Sequence, residues 1–513
     1  VNRAIRLPTP GVGDLVAGVS VAMVAIPQSL AYAELAGLPA HLGLYATALP
    51  ALIGAIFVSS RYLQTGPVAL TALLSFGVLE SLAEPQSGDY IALAALLALL
   101  VGLMRLALGL LRLGRVAYVL SEPVLMGFTT GAAVLIVSSQ LPKIFDAETS
   151  ADGVLAAAWQ ALSSPGDWQP SALAFSAMTL LAIYGGRRLH RLFPGVLAAV
   201  IAGVALSELL DYDGSVVGDL EGGFVPLSAS FPWEAAPDLM VPALVIALVG
   251  FAESSSIART FAAADRLSWN ANREMFAQGV ANVASAVSGG FPVDGSFSRS
   301  SLNRFAGAAS PWAGAITGAL VLAALPFTPL FETLPSAILG GIVVCVVLGL
   351  VNVRGLYAMV SQSGVQAIVS IGTLVATVAF SPRVERGMMV GIGLSLAAHL
   401  YREMSVSARS ELRADTLIVR AHGVLWFATV PQIERAIRQE VAASHEVERV
   451  EIDLGAVSRV DYSGAAALGR MMDDFRAAGM AVEVINVNPG AARSVGNHIV
   501  NGDSDGPRGK AGR

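Results

Sequence analysis

The sequence predicts an all-α polytopic membrane protein, 14 transmembrane segments in a 7+7 inverted repeat, followed by a small cytoplasmic α/β domain. Three observations carry that prediction. Of the 513 residues, 54% are hydrophobic and 14% charged, against about 25% charged in an ordinary soluble domain. Apolar runs of roughly 20 residues, enough to cross about 30 Å of hydrocarbon as helices, recur from Asp14 to Arg402. Beyond Arg402 the pattern changes to apolar strands alternating with amphipathic helices.

The opening residues, 1–13, lack the basic-then-apolar start of a secretory signal and read as an interfacial segment. The membrane part, 14–402, divides into apolar segments at 14–33, 39–58, 65–80, 90–111, 120–141, 170–186 and 194–211. A second set follows at 239–260, 274–289, 295–308, 311–330, 335–351, 364–381 and 384–402. Positive charge orients them. With the N-terminus inside, the inner connections and flanks carry fifteen arginines, Arg105 and Arg304 among them, against Lys143, Arg383 and Arg386 outside. A missed segment would invert every later loop, so this asymmetry supports the count and places both termini in the cytoplasm. Two sets of seven place the second copy upside down, because seven is odd.

The C-terminal region, 403–500, reads as strand, helix, strand, helix, strand in "DTLIVRAHGVLWFA", "TVPQIERAIRQEVAAS", "VERVEIDLGAVSRVD", "YSGAAALGRMMDDFRAAG" and "MAVEVINV". That order implies parallel pairing in a small α/β unit. The tail, 501–513, is Gly-rich and polar and is expected to be disordered.

Several function classes are disfavoured by what the residues lack. One cysteine, Cys345, in the apolar run "GGIVVCVVLGL", excludes a disulfide framework within the chain. The six histidines show no metal-ligand spacing, and neither lysine, Lys143 or Lys510, has Walker phosphate-loop spacing. No enzyme, metal, cofactor, nucleic-acid partner or nucleotide-driven motor is expected, so an ion gradient or exchange must drive any transport.

Two segments break the apolar pattern at matching positions, the third of each set. They open with "QTGPVALTALLS" and "VDGSFSRSSLN". Gly and Pro disfavour a continuous helix there. A half-helix starting inside the membrane presents unpaired N–H groups and the positive end of its dipole, which favour an anion. Such paired interruptions mark the substrate site of inverted-repeat transporters. Arg299 lies in the first turn of the second broken segment. An arginine at that depth costs at least about 2.5–3.5 kcal/mol, so it either faces the anion site, snorkels to the surface, or pairs with an acid such as Glu253. Ser296 and Ser298 offer hydroxyl donors, and Ser296 is equally an N-cap candidate. Glu253, in "ALVIALVGFAESSSIART", is either a coupling-proton site or half of a fixed salt bridge. Gln28 and Tyr32, four residues apart beyond Pro27, share a helix face that lines a cavity or packs. Glu34 reads as a wetted rim residue.

These stretches resemble the SulP anion transporter family, the sulfate-permease-like proteins. The resemblance runs through "IPQSLAYAELAGLPAHLGLYATALPALIGAIFVSSRYLQTGPVAL", "GFAESSSIART", "GGFPVDGSFSRSSLN" and "IDLGAVSRVDYSGAAALGRMMDDFRAAG" in that order. It implies a uracil-permease-like fold in which segments 1–4 and 8–11 form a core and 5–7 and 12–14 a gate. It also implies an anion held by Gln28, Tyr32, Gly66, Pro67, Val68, Ala69, Ser296, Phe297, Ser298 and Arg299, with Glu253 as the coupling acid. Elevator-type movement, a homodimer, and a multi-pass location in the cell (inner) membrane follow from the same resemblance. The last region resembles the STAS domain, a module similar to anti-sigma-factor antagonists. There a phosphorylated Ser would fall on Ser463, but "DYSG" puts Tyr462 before it, and a plain strand-to-helix turn is the alternative. The long terminal helix usual in that domain is not expected after "VNPGAARSVGNHIV".

The function expected is secondary active transport of a small anion: carboxylate or dicarboxylate such as fumarate, bicarbonate or sulfate. The coupling ion is a proton at Glu253 ahead of sodium. A nucleobase–cation symporter, a passive anion channel and a ligand sensor are the alternatives.

Overall fold

The computed structural model describes residues 9–115, 120–190, 193–218, 220, 223–349, 351–403, 407–444 and 447–488. The chain separates into two compact units, Val1–Ser395 and Leu396–Arg513. Most of the expected interfacial segment and the whole expected tail lie outside the described residues, as does any terminal helix after Asn488.

In the first unit every apolar segment read from the sequence holds a helix. The first half comprises α1 (Val12–Leu35), α2 (His41–Phe57), α3 (Ala69–Leu79), α4 (Gly88–Leu110), α5 (Glu122–Phe145), α6 (Val154–Ser163) and α7 (Pro170–Leu180). A π-turn over Leu181–Gly185 leads to the short α8 (Gly186–Leu189), and α9 (Gly195–Leu209) follows. The second half comprises α10 (Ala236–Ala264), α11 (Ala271–Val287), α12 (Phe297–Phe305), α13 (Trp312–Ala324), α14 (Ser336–Leu348), α15 (Val353–Gln362), α16 (Gly364–Ala379) and α17 (Val384–Glu403). Among the described residues, six helical runs are long and apolar enough to cross a membrane by length and composition. The apolar periodicity did not reveal α6 and α15, which are short and lie between the predicted segments.

Packing follows a repeated plan. With α1–α4 matched to α10–α13, crossings come in pairs: α4 packs on α11 as α13 does on α2, α1 on α13 as α10 on α4, and α12 on α1 as α3 on α10. Beyond these, α5 packs on α16 as α14 does on α7. Without a hydrophobic drive between helices in lipid, close backbone approach supplies much of the association. At the α4–α11 crossing, a Cβ on Gly102 would sit 3.0 Å from the Gly279 carbonyl, and one on Gly279 would sit 2.9 Å from the Gly102 carbonyl. Any side chain at either position pushes the two helices apart.

Two three-residue strands, β1 (Gln64–Gly66) and β2 (Asp294–Ser296), precede α3 and α12. They pair antiparallel, Gln64 with Ser296, Thr65 with Gly295 and Gly66 with Asp294. Their backbone groups satisfy each other where an extended chain inside a helical bundle would otherwise bury bare amides. Gln64 N–H also donates to Ser300 Oγ at 2.9 Å, and Gln278 Nε2 donates to Thr65 Oγ1 at 2.8 Å.

The second unit is a four-stranded sheet in the order β3 (Ser407–Arg413), β4 (Thr416–Leu425), β5 (Arg449–Val460), β6 (Ala481–Ile485), with helices α18 (Val430–Ala443) and α19 (Tyr462–Ala477). The β4–β5 and β5–β6 pairs are parallel, as the strand–helix–strand reading requires. The strand β3, which pairs antiparallel with β4, was not expected. Alternate residues Leu417, Val419 and Ala421 of β4 meet Val450, Ile452 and Leu454 of β5 and Leu468, Met472 and Phe475 of α19 in one core.

Candidate functional site

The two broken segments resolve into two short helices with a common origin. Ser296 ends β2 and N-caps α12, its side chain accepting from the Arg299 N–H. Val68, extended, precedes α3 by one residue, and Gly66 and Pro67 link it to β1. Because β1 and β2 pair, the N-termini of α3 and α12 are brought together, and α1 and α10 each pack against both helices.

These termini open onto a cavity of about 860 Å³. Gln28 and Tyr32 of α1, Val68 and Ala69 of α3, Glu253 of α10, and Ser296, Phe297 and Ser298 of α12 line it. The rest of the wall comes from Ile183 in the π-turn, Arg187 of α8, Gly195 and Val196 of α9, and Cys345 and Val346 of α14. Gln28 Oε1 and Glu253 Oε2 are buried without a hydrogen-bond partner among the described residues, so the cavity wall presents polar atoms free to meet a ligand or a proton. Farther out the cavity reaches Arg304 and Asp265, joined by two hydrogen bonds of 2.9 and 2.6 Å. The Arg304 guanidinium lies 5.6 Å from the Phe261 ring, on which Phe297 stacks. Hydrogen bonds, first from Arg304 and then from Tyr62, hold the Asp265 carboxyl down at about 2.

Arg299 is 1% exposed and does not line the cavity. Its Nη2 donates to the Pro67 carbonyl at 2.6 Å, and its guanidinium lies against Gly66, where a Cβ would sit 3.0 Å from Nη1. Among the described residues no carboxylate forms an ion pair with it, and its Nε has no partner. It neither snorkels nor pairs with Glu253. Gly66 and Pro67, expected to hold the anion, are the residues against which the Arg299 guanidinium packs, and neither is among the residues lining the cavity.

One expectation is corrected. Arg105 was counted among the inner flanking charges, but it is fully buried in α4. Its Nη2 pairs with Asp294 Oδ2 at 2.5 Å, and it donates to the carbonyls of Ala247, Val293 and Ile246 at 3.1, 3.1 and 3.2 Å. Asp294 Oδ1 also accepts from Ser254 Oγ and from the Gly295 N–H at 2.9 Å. Gly250 makes room for this cluster, since a Cβ there would overlap the Asp294 carboxylate. The pair pins β2, and hence the start of α12, to α4 and α10. The sequence signals were an arginine inside "LVGLMRLALGL" and the acid in "VDG".

At the opposite end of α1, Glu34 is paired with Lys143 of α5 at 2.5 Å, and Arg383 donates to Ser81 Oγ beyond α3 at 2.7 Å. Two of the three basic residues assigned to the outer connections thus tie α5 to α1 and the α16–α17 connection to the end of α3. In the second unit Asp461 N-caps α19 through the Gly464 N–H at 2.6 Å, and the Ser463 hydroxyl donates to the same carboxylate at 3.0 Å.

A multi-pass helical protein in which two short helices start side by side at one cavity has the architecture of a membrane transporter. The comparisons with known proteins define it further: residues 12–373 match the model of the sulfate permease family, residues 407–501 match that of the STAS domain, and the chain belongs to the sulfate permease family, whose members are transporters and not enzymes. A probable sulfate transporter of Mycobacterium tuberculosis is 34% identical over 397 residues, 76% of this chain and 70% of that protein. Probable sulfate transporter 4.2 of Arabidopsis thaliana is 30% identical over 515 residues, 93% of this chain and 76% of that one. In fold, the murine Slc26a9 anion transporter in its inward-facing state matches with a TM-score of 0.87 at 21% identity, covering 98% of this chain and 89% of that chain. The transmembrane domain of the cyanobacterial bicarbonate transporter BicA matches with a TM-score of 0.64 at 23% identity, over 75% of this chain and 97% of that one.

Proposed function

We propose that the chain is a secondary active transporter of a small anion, a carboxylate or dicarboxylate, bicarbonate or sulfate, coupled to protons through Glu253. The observation that carries this reading is the junction of β1 and β2, which turns two helix N-termini toward one cavity. Their first-turn amides donate to a bound anion while Ser296 and Ser298 add hydroxyls. Arg299, buried against Gly66 and Pro67 without a carboxylate partner among the described residues, adds a positive field. Glu253 shares the cavity with the anion, so a proton on it reduces their repulsion, and the two travel together.

Sulfate and bicarbonate rest on the transporters among the relatives and fold neighbours, whereas the carboxylates rest on the cavity alone, which offers an anion few fixed positive charges. The paired crossings support a 7+7 inverted repeat, with α1–α4 and α10–α13 as core and α5, α7, α9, α14, α16 and α17 as gate. A cavity walled by both groups supports movement of one against the other. Both termini are assigned to the cytoplasm on the charge asymmetry, which the loss of Arg105 from the count leaves intact.

Uptake of labelled sulfate, bicarbonate, fumarate and uracil into proteoliposomes tests the reading. The expected result is anion uptake that rises as external pH falls, and a flat pH profile in Glu253→Gln. Saturable uracil uptake unaffected by anions would replace it with nucleobase transport, and uptake indifferent to pH in both proteins would remove the proton.

A further inference from the structure

The two helices that hydrophobic periodicity did not reveal, α6 and α15, stand at matching places: α6 follows α5, and α15 follows α14, the helix that corresponds to α5 in the packing plan. They also lie at opposite ends of α5. The end of α5 continues toward α6, and Phe145 stacks at 4.4 Å on Trp168, just past α6. The start of α5 meets α15, where a Cβ on Gly355 would sit 2.9 Å from Met126 Cε. With its 24 residues, α5 spans about 36 Å at 1.5 Å per residue, slightly more than the roughly 30 Å hydrocarbon layer.

Each helix turns the same kind of face outward. On α6 the exposed large side chains are Leu155, Trp159 and Leu162, at 41, 72 and 45%. On α15 they are Val353, Tyr357 and Val360, at 67, 76 and 46%. Both sets follow the spacing i, i+4, i+7, one stripe of a helix, with an aromatic residue between two aliphatic ones. A helix bathed in water carries polar residues on such a stripe. Here α6 has no charged residue and α15 has one, Arg354, which is exposed beside the apolar stripe. Trp and Tyr, apolar with a polar tip, concentrate where the acyl chains meet the headgroups.

We infer that α6 and α15 are interfacial helices that rest their apolar stripes in the two opposite headgroup–acyl boundaries of the bilayer. The occupant of each stripe is lipid. The stripes are apolar with no charged residue on them, and the length of α5 between the two helices matches the thickness of the layer between those boundaries. Arg354 is placed to reach lipid phosphate. Both helices belong to the group that includes α5 and α14, away from β1 and β2, so they fix that group at a set depth.

Site-directed spin labelling of the full chain in liposomes tests this. Labels are introduced by Trp159→Cys and Tyr357→Cys in a Cys345→Ala background, with Ser150→Cys as an aqueous control. Relative access to oxygen and to a water-soluble nickel chelate gives depth. The expected depth is within about 5–10 Å of the headgroup boundary at both sites, with mobile labels. Labels as accessible to nickel as the control would overturn the inference. So would immobilised labels shielded from both reagents, which would mean that a second copy or another part of the chain covers the stripe. In the chain with Cys345 intact, tryptophan quenching by brominated lipid should weaken in Trp159→Phe, and unchanged quenching would equally overturn it.

Discussion

Among the described residues of the membrane unit two arginines, Arg105 and Arg299, are buried, and they are used in opposite ways. Arg105 is enclosed by one carboxylate and three carbonyls, so its charge is spent on fixing β2 against α4 and α10. Arg299, some residues further along the same junction, donates to one carbonyl and pairs with no carboxylate among the described residues. A neutralised charge holds structure, whereas an unneutralised one leaves a field for a mobile anion to complete. Glycine serves both sites: Gly250 admits the Asp294 carboxylate, and Gly66 admits the Arg299 guanidinium.

The strongest way to break the contrast is Arg105→Met, which strands Asp294. Losing one partner of a buried pair costs about 3–5 kcal/mol, so the folded protein recovered by size-exclusion in detergent should fall sharply. Replacing both partners, Arg105→Met with Asp294→Asn, should restore much of it. Arg299→Gln should do the reverse, leaving thermal stability at or above wild type while anion affinity drops. Arg299 acts on the anion through its field and not by contact, so binding by isothermal titration should weaken about tenfold for each 1.4 kcal/mol of attraction lost. If Arg299→Gln unfolds the protein and leaves affinity unchanged in what remains, the roles assigned to the two arginines are wrong.

Smaller effects separate the two ends of α1. Lys143→Ala removes a partly exposed pair worth at most about 1 kcal/mol. It should favour a form opened between α1 and α5 over the one whose cavity exposes Cys345, and so slow Cys345 alkylation by no more than about 5-fold. At the other end, Asp265 is held near 2 by Arg304. Its folded value lies below the unfolded one of about 3.9, so its contribution is present above pH 4 and is lost as pH falls through 2. Asp265→Asn should therefore leave the transport pH profile between 5 and 8 unaltered, and a changed profile would move the coupling group from Glu253 to the mouth.

Much of the candidate site could be read in the sequence because its signals are local. The interruptions "QTGPVAL" and "VDGSFSRSS" are violations of an apolar pattern, and the structure starts α3 and α12 at them. Gln28, Tyr32, Glu253, Ser296 and Ser298, legible as polar residues within apolar segments, line one cavity together with Val68, Ala69 and Phe297, which only the family resemblance singled out. The rest of the wall was not legible. Ile183, Val196 and Val346 are indistinguishable from lipid-facing residues in composition, and their position depends on how separate helices cross.

The sequence by itself determined the membrane class, the positions of the apolar helices, the two breaks and the α/β nature of the last region. Each of these follows from hydrophobic period or backbone preference along a single stretch. Tertiary structure decided the partners: Arg105 with Asp294, Glu34 with Lys143, Arg299 across Gly66, and β1 beside β2. A buried charge is stabilised by groups within a few ångströms in space, and those groups lie up to 230 or so residues away in the chain, as Arg299 and Pro67 do. No local pattern encodes that distance.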